Sequence, residues 1–234
     1  MKAWKVRDVM TTNVATVAEG TPYREVVDLM TSRHVSGVPV VDDAGLVLGV
    51  ISEADLLYKV EMIGEPHERR IFEGRRRHAA RVKADALIAR ELMAAPAVTA
   101  SASTSLVEAA KRMEREHVKR LPVTDSHGRL LGIVSRADLL KVHLRPDEDI
   151  RRDVLDGGLK RVLASEEATI DVTVADGVVT LSGRLVRHSA VQIAANLASQ
   201  VSGVVQVVDG LTYEFDDLNP AYLKPGLGNP AGLL

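Results

Sequence analysis

Two stretches of this chain carry the same residue types at the same spacing: "GVISEADLL" at 49–57 and "GIVSRADLL" at 132–140. Each sets a serine three residues ahead of an aspartate, Ser52 with Asp55 and Ser135 with Asp138, just before an apolar pair of leucines. A hydroxyl and a carboxylate so spaced form a helix-capping signature, because each can satisfy a backbone group that the first helical turn leaves unpaired. The same two groups can also hold a ligand: the carboxylate accepts hydroxyl hydrogens, and the hydroxyl both donates and accepts. Duplication copies a cap as faithfully as a site, so the motif alone leaves both readings open.

The elements that carry the motif come from a repeat. Sliding the sequence by 83 residues aligns 6–59 with 89–142 without a gap, and 19 of 54 positions are identical, which makes this a tandem duplication rather than chance. Each copy opens with an extended segment, "NVATV" or "AVTAS", and continues into a helix near Thr21-Pro22 or Thr104-Ser105. Thr21 is suited to N-cap the first helix with Pro22 at its first position, and Ser105 with Glu108 to form a capping box on the second. Val26, Val27, Leu29 and Met30 supply the apolar stripe of the first helix. "VPVV", a turn at Asp42-Asp43-Ala44-Gly45 and "LVLGVI" then read as a hairpin. A final helix begins at Ser52. One copy is therefore β-α-β-β-α, too small for a confident core of its own, and the two copies are expected to pack on each other. Met10/Met93 and Met30/Met113 recur in register and read as core filling.

Composition narrows the function. Apolar residues make up 46% of the chain and aromatics only 3%, so the core must be built from Val, Leu, Ala and Ile. The formal charge of −2 argues against a partner recruited by bulk charge. With no cysteine, disulfides, thiolate metal sites and cysteine nucleophiles are excluded. No uncharged apolar run approaches membrane-spanning length, and "MKAWKVRDVM" lacks a leader's apolar segment, so a cytoplasmic location is expected. No nucleophile elbow, phosphate loop or HExxH is present, so the chain reads as a sensor and not an enzyme.

Residues 60–88 join the copies as a basic, helical connector. Arg69, Arg70, Arg75, Arg76, Arg77, Arg81 and Lys83 meet five acids there, leaving an excess of only two positive charges. A solvated helix explains this better than a nucleic-acid patch, since the interleaved aromatics of a stacking surface are missing. After "LRPDEDI" the pattern changes. A helical region over 147–163 contains a Gly157-Gly158 break; "ATIDVTV", an Asp176-Gly177 turn and "VVTLSG" form a hairpin; a helix near 187–201 and a third strand at 203–215 follow. The tail, 216–234, holds three prolines and three glycines and reads as flexible.

On "GVPVVD"/"RLPVTD" followed by "GVISEADLL"/"GIVSRADLL", the duplicated unit resembles the CBS domain, which occurs as tandem pairs, with repeats here at 6–59 and 89–143. On "DGVVTLSG" (176–183) and "SGVVQVVDGL" (202–211), residues 147–215 resemble the BON domain. The resemblances imply an α+β chain: two CBS repeats related by a pseudo-twofold axis, then a small α+β domain with three strands. They further imply a regulatory module for adenosine-containing ligands (AMP, ADP, ATP or S-adenosylmethionine), a homodimer formed through the CBS pair, and a BON domain that binds a protein or phospholipid surface.

A nucleotide would ask for a carboxylate on its ribose diol, a helix start and hydroxyl near its phosphate, and an apolar slot for adenine. In the family pattern the aspartate motif of one copy meets strand residues of the other. Transferred by position, Ser52 and Asp55 would face Ala97–Thr99 and "VKRLP": Val118, Lys119, Arg120, Leu121 and Pro122. Ser135 and Asp138, with Arg136 between them, would face Val14–Thr16 and "VSGVP": Val35, Ser36, Gly37, Val38 and Pro39. The Asp55 site, with Lys119 and Arg120, is then the tighter one for a phosphorylated adenosine. Arg136 is expected to compensate in part at Asp138. His34 and His117, at matching helix ends, read as dipole-stabilised residues rather than metal ligands, with His117 in reach of a phosphate. Two alternatives stand beside this: a ligand-free dimerisation scaffold whose BON domain recruits a surface, and nucleic-acid binding through 69–83.

Overall fold

A computed structural model describes residues 4–61, 83–160 and 169–219. The chain divides into two compact units, Lys5–Leu139 and a second made of Met1–Trp4 with Leu140–Leu234. Arg69, Arg70, Arg75, Arg76, Arg77 and Arg81 of the connector, and residues 220–234 of the tail, lie outside the described residues.

In the first unit a 3-10 turn at Val6–Asp8 precedes β1 (Val17–Ala18), α1 (Tyr23–Ser32), β2 (Gly37–Val41), β3 (Val47–Ser52) and α2 (Glu53–Glu61). The second repeat follows as α3 (Ala89–Leu92), β4 (Ala100–Ser101), α4 (Leu106–Arg115), β5 (Arg120–Thr124), β6 (Leu130–Ser135) and α5 (Arg136–Leu140). Each repeat makes one three-stranded sheet, β1-β2-β3 or β4-β5-β6, with a parallel first pair and an antiparallel hairpin. The hairpin turns are fixed alike. Asp42 accepts from the N–H groups of Ala44 and Leu46, and Asp125 from those of His127 and Arg129. Helix α1 buries Val26 and Met30 on the stripe expected of it, at roughly 1.5–3 kcal/mol for each such side chain.

Two local starts differ in outcome. Helix α1 begins one residue later than expected, with Pro22 at the N-cap position, because the Thr21 hydroxyl instead accepts from Ala18 N–H at 3.1 Å. On α4, Ser105 Oγ does cap, accepting from Glu108 N–H at 3.1 Å.

The leading segment of each repeat crosses to the other. Thr11 pairs with Ile133 of β6, and Ala94 pairs with Val50 of β3. Ala86, Ala89 and Leu92 accordingly sit in the core of the first repeat, beside Val26, Val38 and Ile51. The motif glycines make room for this. A Cβ at Gly49 would stand 2.6 Å from Met93 Sδ, and one at Gly132 would stand 2.8 Å from the Thr11 carbonyl oxygen. Met30 and Met113 are core residues, whereas Met10 and Met93 are half-buried against these glycines.

The second unit contains α6 (Asp147–Val154), β7 (Thr169–Ala175), β8 (Val178–Arg187), α7 (His188–Ser199) and β9 (Gln206–Phe215). β7 and β8 form an antiparallel hairpin, and β9 adds parallel to β8 after the α7 crossover. The turn residues Asp176 and Gly177 both have positive φ, 50° and 74°, as a two-residue hairpin requires. Both turn N–H groups donate to the Asp147 carboxylate at 2.8 and 2.9 Å. The Gly157-Gly158 pair does not break the helical region as expected; it widens into a single π turn, Leu155–Leu159, whose Leu159 is buried. At the start of the tail, Asp217 accepts from the Ser189 N–H and hydroxyl at the N-terminus of α7. Among the described residues no helix is long and apolar enough to cross a membrane.

Candidate functional site

Both motifs cap their helices. Ser52 donates its N–H (2.8 Å) and its hydroxyl (2.7 Å) to Asp55 Oδ2, and Ser135 does the same to Asp138 Oδ2 at the same distances. In the second copy Asp138 N–H returns a 3.3 Å bond to Ser135 Oγ, which completes the reciprocal box. At Asp55 the other oxygen, Oδ1, is ion-paired with Lys83 from the end of the connector. Asp55 is 8% exposed, the one polar or charged residue in the buried class among the described residues. A buried carboxylate needs a counter-charge, and Lys83 supplies it.

Asp55 opens on a cavity of about 240 Å³. The first repeat contributes Ser36, Val50 and the first turn of α2, Ser52 to Asp55; the crossing segment contributes Ala94, Pro96, Ala97 and Val98; the second repeat contributes His117, Val118, Lys119 and Arg120. Of the residues expected here, Ser52, Asp55, Ala97, Val118, Lys119 and Arg120 come together. Thr99, Leu121 and Pro122 do not line the cavity. Leu121 is fully buried in β5 and Pro122 is buried opposite Ile133, while Thr99 continues toward β4.

A second cavity, of about 230 Å³, opens at Asp138. Thr11, Asn13, Val14 and Ala15 form one wall and His34, Val35, Ser36 and Gly37 another, with Ile133, Ser135, Asp138 and Arg120 completing it. Val14, Val35, Ser36, Gly37, Ser135 and Asp138 meet as expected. Thr16, Val38, Pro39 and Arg136 do not line it. Val38 lies in the first-repeat core, Pro39 is buried opposite Val50, and Thr16 runs on toward β1. Arg136, expected to compensate here, is exposed on α5 outside the lining of this cavity, and its backbone N–H donates to the Lys119 carbonyl at 3.1 Å.

Arg120 lines both cavities. Its position in the first repeat corresponds to Gly37, and a Cβ there would stand 2.5 Å from Arg120 Nη1. The guanidinium lies over that glycine and donates from Nη2 to Ser36 Oγ at 2.6 Å. Burial pulls its pKa below the ordinary value, with the negative charge of Glu53 opposing the shift. His34 and His117 close α1 and α4 in the left-handed conformation, φ 51° and 54°, and line the two cavities at equivalent positions.

The residues that sequence reasoning missed are Ser36, Val50, Glu53, Ala54, Ala94, Pro96 and Lys83 at Asp55, and Thr11, Asn13, His34, Arg120 and Ile133 at Asp138. Thr11 and Ala94, Asn13 and Pro96, Ile133 and Val50 are repeat equivalents, so the repeat offset is the signal that relates one set to the other. Lys83 had no such signal within its charge run. Among the described residues no group of three or more His, Asp or Glu could hold a metal ion.

Family models match the CBS domain at residues 6–61 and 89–145 and the BON domain at 146–214, and the chain belongs to the CBS-domain proteins as a tandem pair followed by a BON domain. It is 29% identical over 136 residues to an uncharacterized protein of Methanopyrus kandleri, a match spanning 58% of each chain. An uncharacterized protein of Methanocaldococcus jannaschii is 28% identical over 150 residues, or 58% of this chain and 89% of its own length. Inosine-5'-monophosphate dehydrogenase of Mycobacterium tuberculosis is 29% identical over 195 residues, 79% of this chain but 32% of the dehydrogenase. Among solved structures, the CBS-pair protein CBSX2 of Arabidopsis thaliana in complex with AMP matches with a TM-score of 0.48 and 26% identity, over 60% of this chain and 96% of that one. The CBS domain pair of protein MJ0100, in complex with 5'-methylthioadenosine and S-adenosyl-L-methionine, matches with a TM-score of 0.48 and 18% identity over 60% of this chain and 96% of its own.

Proposed function

We propose that this protein is a regulatory sensor whose CBS pair binds a phosphorylated adenosine, AMP being the best fit, and conveys its presence to the BON domain or to a partner. One observation carries the reading: a single cavity joins a buried carboxylate, the first turn of a nine-residue helix, an apolar wall and two cations. Adenine fits against Val50, Pro96, Val98 and Val118. The phosphate lies toward Lys119 and Arg120 and the positive end of α2. A cavity of about 240 Å³ suits a mononucleotide better than a dinucleotide.

The ribose explains Lys83. A carboxylate offers about four acceptor positions. The Ser52 N–H, the Ser52 hydroxyl and Lys83 already occupy three at Asp55. A cis-diol needs two, so it must take Oδ1 from Lys83. Ligand entry thereby releases the end of the connector, which is a physical route from binding to response. Association into a homodimer through the CBS pair belongs to the same reading, and sedimentation with and without nucleotide tests it.

Calorimetric titration with AMP, ADP, ATP and S-adenosylmethionine tests the ligand. A dissociation constant below millimolar for AMP at the Asp55 cavity, with that tight constant lost in Asp55→Ala while any binding at the Asp138 cavity remains, is the expected result; no binding by any of the four overturns the reading.

A further inference from the structure

The two cavities hold one guanidinium between them. Arg120 projects from β5 of the second repeat, and its repeat equivalent is a glycine, so the pseudo-twofold that duplicates the cavities does not duplicate this cation. Gly37 is what lets it sit there, since any Cβ would collide with Nη1. Among the described residues, the Asp55 cavity has Lys119 as a further full cation, whereas the Asp138 cavity has no other Lys or Arg in its lining. Ser36, which holds the guanidinium, lines both.

We propose that Arg120 is a shared phosphate ligand that makes the two cavities antagonistic: an anionic nucleotide at Asp55 draws the guanidinium off Ser36 and leaves the lining of the Asp138 cavity, among the described residues, without a Lys or Arg. This rests on the adenosine reading above and adds to it a rule of occupancy. One phosphorylated adenosine binds tightly per chain and a second binds weakly. A guanidinium pairs with a phosphate through a planar fork, and that fork cannot serve two phosphates in separate cavities at full strength. Adenosine itself, which carries no phosphate, has no quarrel over Arg120 and fills the cavities independently. The coupling is therefore a property of the ligand's charge, not of its base or sugar.

The test is calorimetry on the full chain with two probes, AMP and adenosine. In the wild type, AMP gives a tight and a weak dissociation constant; the weak one reports the Asp138 cavity while the Asp55 cavity is full. In Asp55→Ala, and in Asp55→Asn, which keeps an acceptor for the helix cap, the Asp138 cavity is read with its neighbour empty. The expected result is an AMP dissociation constant about tenfold tighter at the Asp138 cavity in these variants than in the loaded wild type, consistent with a typical coupling of 5–150-fold. Adenosine shows no such difference, and Arg120→Met removes it for AMP. If AMP binds both cavities and its second constant is unchanged in the Asp55 variants, or if adenosine shows the same antagonism, the sharing of Arg120 is wrong and the adenosine reading survives. If neither probe binds the wild type, both fall together.

Discussion

The Asp55 and Asp138 cavities are close to the same volume, about 240 and 230 Å³, and repeat-equivalent positions line them. Their helix starts are capped by the same bonds at the same lengths. What differs is charge: Lys119 and Lys83 serve only the first, and Arg120 lies between the two. Duplication has kept the scaffold symmetric while the surface charges on it have diverged. Backbone-level features such as caps, turns and glycine contacts are held by packing on both sides, so they resist change. Side chains at the cavity rim make fewer packing contacts, with Arg120 held by Ser36 and Lys83 by Asp55, so they are freer to specialise.

That comparison can be pushed until it breaks. The largest effect is expected from Asp55→Ala, which under the proposed function removes two charge-assisted bonds to a ribose diol. At roughly 1.5–3 kcal/mol each, AMP affinity at the tight cavity falls by about 100-fold or more in calorimetry. Asp138→Ala leaves the tight constant within about threefold. Equal losses in the two variants would mean that the cavities are chemically alike.

The scaffold half of the comparison predicts the opposite, equality. Gly49→Ala and Gly132→Ala each push a methyl into the crossing segment of the other repeat, against Met93 Sδ at 2.6 Å or the Thr11 carbonyl at 2.8 Å. Overpacking of this kind costs about 1–3 kcal/mol, so both variants should melt several degrees lower and by similar amounts. A large difference between them would show that the crossings are not equivalent.

Smaller effects separate the cations. Ser36→Lys gives the first repeat the residue that Lys119 provides in the second, and AMP binding at the Asp138 cavity should tighten by about fivefold, the worth of ~1 kcal/mol for one exposed charge pair. Lys83→Met removes the competitor for Asp55 Oδ1. Adenosine, which brings no phosphate for Lys83 to attract, should bind up to about fivefold tighter by the same arithmetic. Weaker adenosine binding in Lys83→Met would assign Lys83 to holding the ligand rather than contesting it.

Much of this was legible in the sequence. The offset of 83 exposed the repeat, and Ser-x-x-Asp together with Asp-x-x-Gly marked the helix starts and hairpin turns because those bonds are local. The crossing of Val6–Thr11 and Ala89–Ala94 was not legible, since an alignment shows which segments match but not which copy each packs on. Positional transfer from the family pattern cannot sort the residues of one strand by where they point: β2 and β5 are buried at Val38–Val40 and Leu121–Val123, so a run of strand residues does not all reach the cavity. Positional transfer places Arg120 at one site only, because a position in an alignment ends at the Cα. Its guanidinium, at the end of a long side chain, lies at the boundary of the two cavities.

The crossing segments have one more consequence. A single repeat cut from this chain would lack the piece that covers its motif glycine, and the only source of that piece would be another molecule. Joining two repeats in tandem replaces that intermolecular exchange with an intramolecular one, at the high effective concentration that a connector provides. A backbone break within 62–82 should therefore leave two fragments that co-purify and restore each other, while either fragment alone should assemble with its own copies instead.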